Sequence, residues 1–287
     1  ASRLGMGVDL ATGTGWPFGG PWIGDEDASK YLAFKNWSLK SGQQLNEAVS
    51  FMQKPVVRSA AAGRRARINE LKDPVSSNPN QHVLALDQVR FEKALPLISL
   101  MAYSDSGATL DLTNKVGANG KLDWVAPASN WTLYAVFQGW HGKQVERAGP
   151  GGEGNVIDHF SAVALKNYLK KFDSAFANRN LKSLRGFFND SYEVDDADGE
   201  ANFTPNLFDE FKRRRGYDLR LHFPALFGRD TEEKNSRVLT DFRETISDLL
   251  LDQFTVPWRE WAAAKGKIVR NQSHGSPANI LALYAAS

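Results

Sequence analysis

The stretch RGFFNDSYEVDDADGEANFTPNLFDEFKRRRGYD, Arg185–Asp218, changes character abruptly. It opens apolar with Gly186, Phe187 and Phe188, then turns acidic through Asp190, Glu193, Asp195, Asp196, Asp198 and Glu200. A buried strand that hands carboxylates to a rim gives this pattern, and in a parallel α/β barrel that rim is the C-terminal face where catalysis sits. A solvated acidic loop turning at Asp198-Gly199 gives the same composition. The flanking sequence has to decide between the two.

Moving upstream, WTLYAVFQG (Trp131–Gly139) reads as a strong apolar strand and is followed by a glycine-rich loop with Arg147, Glu153, Asp158 and His159. Gly149, Gly151 and Gly154 spell GxGxxG, but a dinucleotide fingerprint needs its glycines directly between strand and helix, and about ten residues intervene here. Ser161–Phe176 has helical spacing, with Val163, Leu165, Tyr168, Leu169, Phe172 and Phe176 as the expected inward face. Downstream, Asn206–Arg215 and Arg237–Lys265 read as helices. Thr240 is expected as a cap or side-facing hydroxyl, Pro257 as a kink or break, and Gly266 as the end. Lys267–Gln272 is a further strand, with the loop Ser273-His274-Gly275-Ser276-Pro277 behind it.

At the N-terminal end, Met6–Leu10 is a short apolar run that leads into ATGTGWPFGGPW. Four glycines and two prolines between Gly13 and Pro21 exclude helix or central strand, so this is a loop carrying Trp16, Phe18 and Trp22. From Asp25 to about Asn130 the pattern differs. Tyr31–Leu39, His82–Val89, Ile98–Tyr103 and Ala108–Leu112 alternate, separated by turn signals such as Asp105-Ser106-Gly107 and Gly117-Ala118-Asn119-Gly120. Ala60–Glu70 is basic and is expected as an exposed excursion. The division expected is a barrel segment over residues 1–24, an inserted antiparallel β module over 25–130, and a second barrel segment over 131–287. Strands alternating with helices after residue 130 argue for a parallel sheet. A loop with polar or aromatic side chains after each strand (Trp16, Glu153, Glu193, His274) favours a partial (β/α)8 TIM-type barrel.

Composition narrows the function classes. The 287 residues carry 35 basic and 33 acidic side chains, a formal +2, which leaves no footprint for nucleic acid or an anionic membrane. No apolar run reaches a membrane span. Cysteine is absent, which removes disulfides, thiolate metal sites and a cysteine nucleophile. Eight tryptophans offer flat faces of the kind sugar rings stack on, though most large rings are core. The start at ASRLG and the finish at ILALYAAS, inside an apolar pattern, suggest a piece of a longer protein.

Glycosidic hydrolysis needs two carboxyl groups flanking the bond. Glu193 suits the proton donor, because the apolar flank of Phe187, Phe188 and Tyr192 is a setting that keeps a carboxyl protonated. Asn189 and Asp190 could touch sugar hydroxyls or orient the acid. Glu153 and Asp158 are candidates for activating water. Asp195, Asp196, Asp198 and Glu200 offer oxygens of the kind calcium takes but lack the EF-hand spacing. His141, His159 and His274 lack HExxH spacing, and no GxSxG elbow occurs.

The blocks GVDLATGTGWPFGGPW, WTLYAVFQGWHGKQVERAGPGGEGNVIDHFS, GFFNDSYEVDDADGEANFTPNLFDEFKRRRGYD and IVRNQSHGSPANILALYAAS together resemble glycoside hydrolase family 106, whose known members are α-L-rhamnosidases. The resemblance implies a (β/α)8 catalytic barrel with attached β domains, inverting hydrolysis and a calcium ion in the active site, its ligands unassigned here. It implies that Met6–Leu10, Trp131–Gly139, Leu184–Tyr192 and Lys267–Gln272 are barrel strands two to five. Glu193 falls where the family's general acid is expected, and the second carboxylate is expected beyond Ser287. Asp9, Trp16, Asn189, Asp190, His159, Asn271 and His274 are the expected lining of a rhamnose pocket. The substrate would be a rhamnose-containing glycan or glycoside, cleaved outside the cytoplasm or in the periplasm. Two other functions fit the same residues: a carbohydrate-binding protein without turnover, or a barrel glycosidase of other specificity such as a β-galactosidase.

Overall fold

The computed structural model describes residues 2–59, 86–194 and 197–287. The expected basic excursion Ala60–Glu70, part of the His82–Val89 run, and Asp195 and Asp196 lie outside them.

Three strands, Val8–Ala11, Leu184–Asn189 and Ile268–Asn271, form an open parallel sheet with Leu184–Asn189 in the middle. Gly186 allows the tight register: a Cβ there would come within 2.6 Å of the Ile268 carbonyl oxygen. Phe187 points the other way and is fully buried against Phe176 and Trp261 of the covering helices. Asn189 and Asn271 are partners in the register, so two strands end level.

Helices Ala162–Phe176 and Val256–Ala263 cover this sheet. The first starts where Ser161 accepts a hydrogen bond from the Ala164 amide. It buries Leu165, Tyr168 and Leu169, as the periodicity predicts. Val163 departs from that prediction and is 66 % exposed. Two residues before Leu165, it sits about 200° round the helix from it. Leu207–Arg215 is the next helix and ends at Gly216, whose φ of 82° is left-handed. Glu232–Leu249 begins earlier than the expected Arg237, because Thr231 caps it through the Lys234 amide. Thr240 is side-facing, its hydroxyl donating to the Ser236 carbonyl. The α-helix that starts at Glu232 does not run unbroken to Pro257 but gives way at Leu250. Pro257 offers no N–H to the preceding turn, and the helix widens into a π-turn over Leu250–Thr255 just before it.

The four-stranded antiparallel sheet has the order Lys30–Leu39, Trp131–Trp140, Leu97–Ser104, Thr109–Asp111. This corrects one expectation. Trp131–Gly139 is not a parallel barrel strand beside the other three; it pairs antiparallel with Lys30–Leu39 over its whole length, from Trp131 opposite Leu39 to Trp140 opposite Lys30. Its continuous apolar run has a physical cause. Tyr134 and Val136 enter the core shared with the helices, whereas Leu133, Ala135 and Phe137 enter a second core within the β-rich part. A strand buried on both faces loses its alternation and looks like a parallel-sheet strand in sequence. Among the described residues the parallel sheet therefore holds three strands rather than four, and no closed barrel is formed.

The sheet is locked to the helical part by polar contacts. Lys30 is buried and its ammonium donates to the carbonyls of Glu26 and Ala28, 3.6 Å from the equally buried Asp158. Asn202 accepts from the Leu32 amide, and Tyr103 donates to the Arg220 carbonyl.

Candidate active site

The C-terminal ends of the three parallel strands release three loops that meet at Glu193. From the first comes Trp16, whose indole Nε1–H donates to Glu193 Oε2 at 3.1 Å. From the third comes the His274 loop: the Tyr192 amide donates to the His274 carbonyl at 2.7 Å, and Gly275 lies against Glu193 itself. Glu193 is half-buried, with φ of 33°. A left-handed glutamate is an uncommon, strained conformation that the surroundings have to impose, and such strain concentrates at functional sites.

The Trp16 loop is held from several sides. Its backbone exchanges hydrogen bonds with Glu146, and the Arg147 guanidinium stands 5.6 Å from the centre of the indole. The Thr14 hydroxyl donates to the Gly152 carbonyl. So the glycine-rich loop behind Trp131–Trp140 does reach the site, although its strand belongs to another sheet. From below, the Tyr168 hydroxyl lies within hydrogen-bond distance of the carbonyls of Thr12 (2.9 Å) and Gly19 (2.7 Å). Trp258 Nε1–H donates to the Thr12 hydroxyl at 3.2 Å, with both side chains fully buried. The glycines do here what a loop under packed walls requires: Gly15 and Gly19 leave no space for a Cβ against the Glu146 and Asn155 carbonyls.

The other expected site residues divide. Asn189 and Asn271 stand side by side at the strand ends, Asn189 Nδ2 donating to Asn271 Oδ1 at 3.0 Å. Asp190 is half-buried next to them and accepts from the Ser191 amide. His274 has an exposed side chain, and its backbone carbonyl accepts from the Tyr192 amide next to Glu193. His159, in contrast, is buried, its ring packed between Tyr192 and Phe254 at 4.8 and 4.6 Å. It backs the site rather than lining an open pocket, and burial pushes its imidazole down to about 3. Asp9 lies two residues before the end of its strand and is paired with Arg185 and Arg270. Hydrogen bonds from these two guanidinium groups hold its carboxyl down to about 2.

Of the candidates for activating water, Asp158 is too enclosed. It is buried, faces Lys30, and accepts from the Thr204 hydroxyl and the Phe160 amide. Glu153 accepts from the Gly151 amide within its own loop. The Asp198 backbone is docked on Gln88 and Arg90, and Glu200 accepts from Asn202. His141 is buried, with Nε2 on the Gly199 carbonyl. Among the described residues no three His, Asp or Glu side chains come together as a cation site, so none is assigned to calcium. Sequence reasoning missed Gly275 and Arg147 as site residues. A glycine one residue after a histidine in a strand-end loop is the faint signal for the first; the second shows only as a polar residue of the glycine-rich loop behind Trp131–Gly139. The hydroxyls of Ser273 and Ser276 are buried with no partner among the described residues, which leaves two polar groups of the His274 loop unused.

Known proteins bear on this arrangement. The solved rhamnosidase of Novosphingobium sp. PP1Y superposes with a TM-score of 0.71 over 99 % of this chain and 41 % of its own, at 19 % identity, which is a likeness of fold. A protein of Formosa agariphila, provisionally named a beta-glucuronidase, is 27 % identical over 93 % of this chain. The chain spans only 23 % of that relative's length. The sequence model of glycoside hydrolase family 106, described as alpha-L-rhamnosidase, matches residues 88–282 and takes in Glu193, both asparagines and the His274 loop. With about two thirds of its length inside that match, the chain belongs to glycoside hydrolase family 106.

Proposed function

We propose that this chain is the acid-bearing part of an inverting α-L-rhamnosidase that removes terminal α-L-rhamnose from a glycan or glycoside, with Glu193 as proton donor. The observation that carries this reading is the strained Glu193 at the junction of three strand-end loops, hydrogen-bonded to Trp16. Family membership supports hydrolysis of a carbohydrate. The three parallel strands, covered by helices on one face, are compatible with an arc of a (β/α) barrel completed by further strands.

In this reading Asn189, Asn271, Asp190 and the exposed His274 present donors and acceptors to sugar hydroxyls at one strand-end rim. Trp16 stands against Glu193 as its hydrogen-bond donor. Asp9 and His159 support the site from the strand and from beneath Tyr192. The water-activating carboxylate would stand roughly 6.5–9.5 Å from Glu193 in an inverting enzyme.

The test is Glu193→Gln in the full-length enzyme, assayed on an aryl α-L-rhamnoside with a poor leaving group. Turnover should fall by about 10²–10⁴-fold, the usual worth of a general acid, while rhamnose binding persists. Undiminished turnover would remove Glu193 from the mechanism. The name of the Formosa relative favours a second reading, cleavage of β-glucuronides, so both glycosides belong in the assay. Proton NMR of the first-formed sugar reports inversion or retention, and chelation of the same enzyme tests for calcium.

A further inference from the structure

We propose that Trp16 is the positioning residue that dictates which oxygen of Glu193 carries the proton: Oε2 is committed to the indole, so the transferable hydrogen sits on Oε1. This rests on Glu193 being the proton donor. An indole N–H can only donate. Oε2, 3.1 Å from Trp16 Nε1, is therefore the accepting oxygen in both protonation states of the carboxyl. The hydroxyl oxygen of a carboxylic acid is the poorer acceptor, so a proton on Glu193 goes to Oε1.

Both partners are held still, which a positioning contact requires. Trp16 is fixed by two backbone hydrogen bonds to Glu146 and by the Arg147 guanidinium beside its ring. Its loop is anchored at Thr12 and Gly19 by Tyr168. Glu193 is fixed by its left-handed backbone, by Gly275 pressed against it, and by the Tyr192–His274 hydrogen bond next door.

The consequence follows from the reaction. As the bond from the anomeric carbon to the glycosidic oxygen breaks, its electron pair goes to that oxygen, which takes the proton from Oε1. Water adds to the anomeric carbon and gives its own proton to a second carboxylate. Glu193 is left as a carboxylate, and the hydrogen bond from Trp16 becomes a charge-assisted one, roughly twice as strong as before. The gain arrives with proton transfer and not with substrate binding, so it acts on kcat and not on KM.

The experiment measures Trp16→Phe in the full-length enzyme on aryl α-L-rhamnosides of graded leaving-group acidity. With alkyl or weakly acidic phenol leaving groups, kcat should fall about 10- to 100-fold, the worth of a hydrogen bond to a charged group, with KM nearly unchanged. With a dinitrophenyl leaving group, which departs without protonation, kcat should stay near wild type. An equal loss across the series, or a rise in KM alone, overturns the proposal. Should Trp16→Phe fail to fold, benzothienylalanine at position 16 keeps the bicycle and removes only the N–H, with the same outcomes expected. Glu193→Gln is measured in parallel. If it shows the leaving-group dependence and the Trp16 variants do not, the positioning role fails alone; if neither shows it, the assignment of Glu193 has failed.

Discussion

Gly275 and Glu193, 82 residues apart, are in backbone contact: a Cβ on Gly275 would stand 3.1 Å from the Glu193 amide nitrogen and 3.2 Å from its Cγ. Gly275 also has φ of 70°, where a side chain is strained whatever the space. Gly275→Ala therefore meets two penalties. The left-handed backbone alone costs about 1–2 kcal/mol. The methyl also pushes on the segment that aims the Glu193 carboxyl. The expected outcome is a lowered melting temperature together with a loss of turnover of at least about tenfold in the full-length enzyme, since a displacement of roughly 1 Å at a catalytic group has large effects. A variant with lowered stability but normal turnover would show that Gly275 serves the fold and not the aim of Glu193.

Much of this arrangement could be read before any coordinates, for local reasons. Glycines and prolines between Gly13 and Pro21 forbid regular structure, so the Trp16 loop was legible. The apolar-to-acidic switch at Phe188–Glu193 marks a strand end, and the strand stops at Asn189, short of the expected Tyr192. What was not legible depends on partners distant in sequence. Trp131–Trp140 has the composition of a parallel strand because two different cores claim its two faces, and only the pairing with Lys30–Leu39 shows otherwise. His159 has the look of a polar loop residue, yet Tyr192 and Phe254 enclose it. Asp9 reads as a strand-end acid, but Arg185 and Arg270 take up its carboxylate. Nothing near Gly275 in sequence announces Glu193.

The buried Lys30–Asp158 pair predicts a double-mutant result. Both side chains are 2 % exposed, 3.6 Å apart, and Lys30 joins the antiparallel sheet to the segment that leads into the first helix. Burial pushes the Asp158 carboxyl up, and the Lys30 charge opposes that push. Lys30→Met leaves a carboxyl in an apolar setting without its counter-charge, which costs about 3–5 kcal/mol when a buried pair loses one partner. Lys30→Met with Asp158→Asn removes the orphaned charge and should recover most of that loss, because the Thr204 hydrogen bond can persist. Urea denaturation of the four proteins measures the coupling. Additive losses in the double variant would mean that the two groups do not depend on each other.

His159 and His141 predict acid sensitivity well above the carboxylate range. Burial holds His159 down to about 3 and His141 down to about 4. In the unfolded chain an imidazole takes its proton near 6.5. As pH falls below that value, the unfolded state binds protons that the folded state refuses, so stability drops continuously from about pH 6.5 towards the folded values. By pH 5 the loss is about 2 kcal/mol for each histidine. His159→Phe preserves the ring between Tyr192 and Phe254 and deletes the titration. Its stability at pH 7 is compared with that of the wild type by urea denaturation, and the comparison is then repeated at pH 5. The wild type should lose about 2 kcal/mol more than the variant between the two conditions. Parallel losses in both proteins would show that His159 takes up its proton inside the folded structure, and would contradict the enclosed position between its two aromatic neighbours.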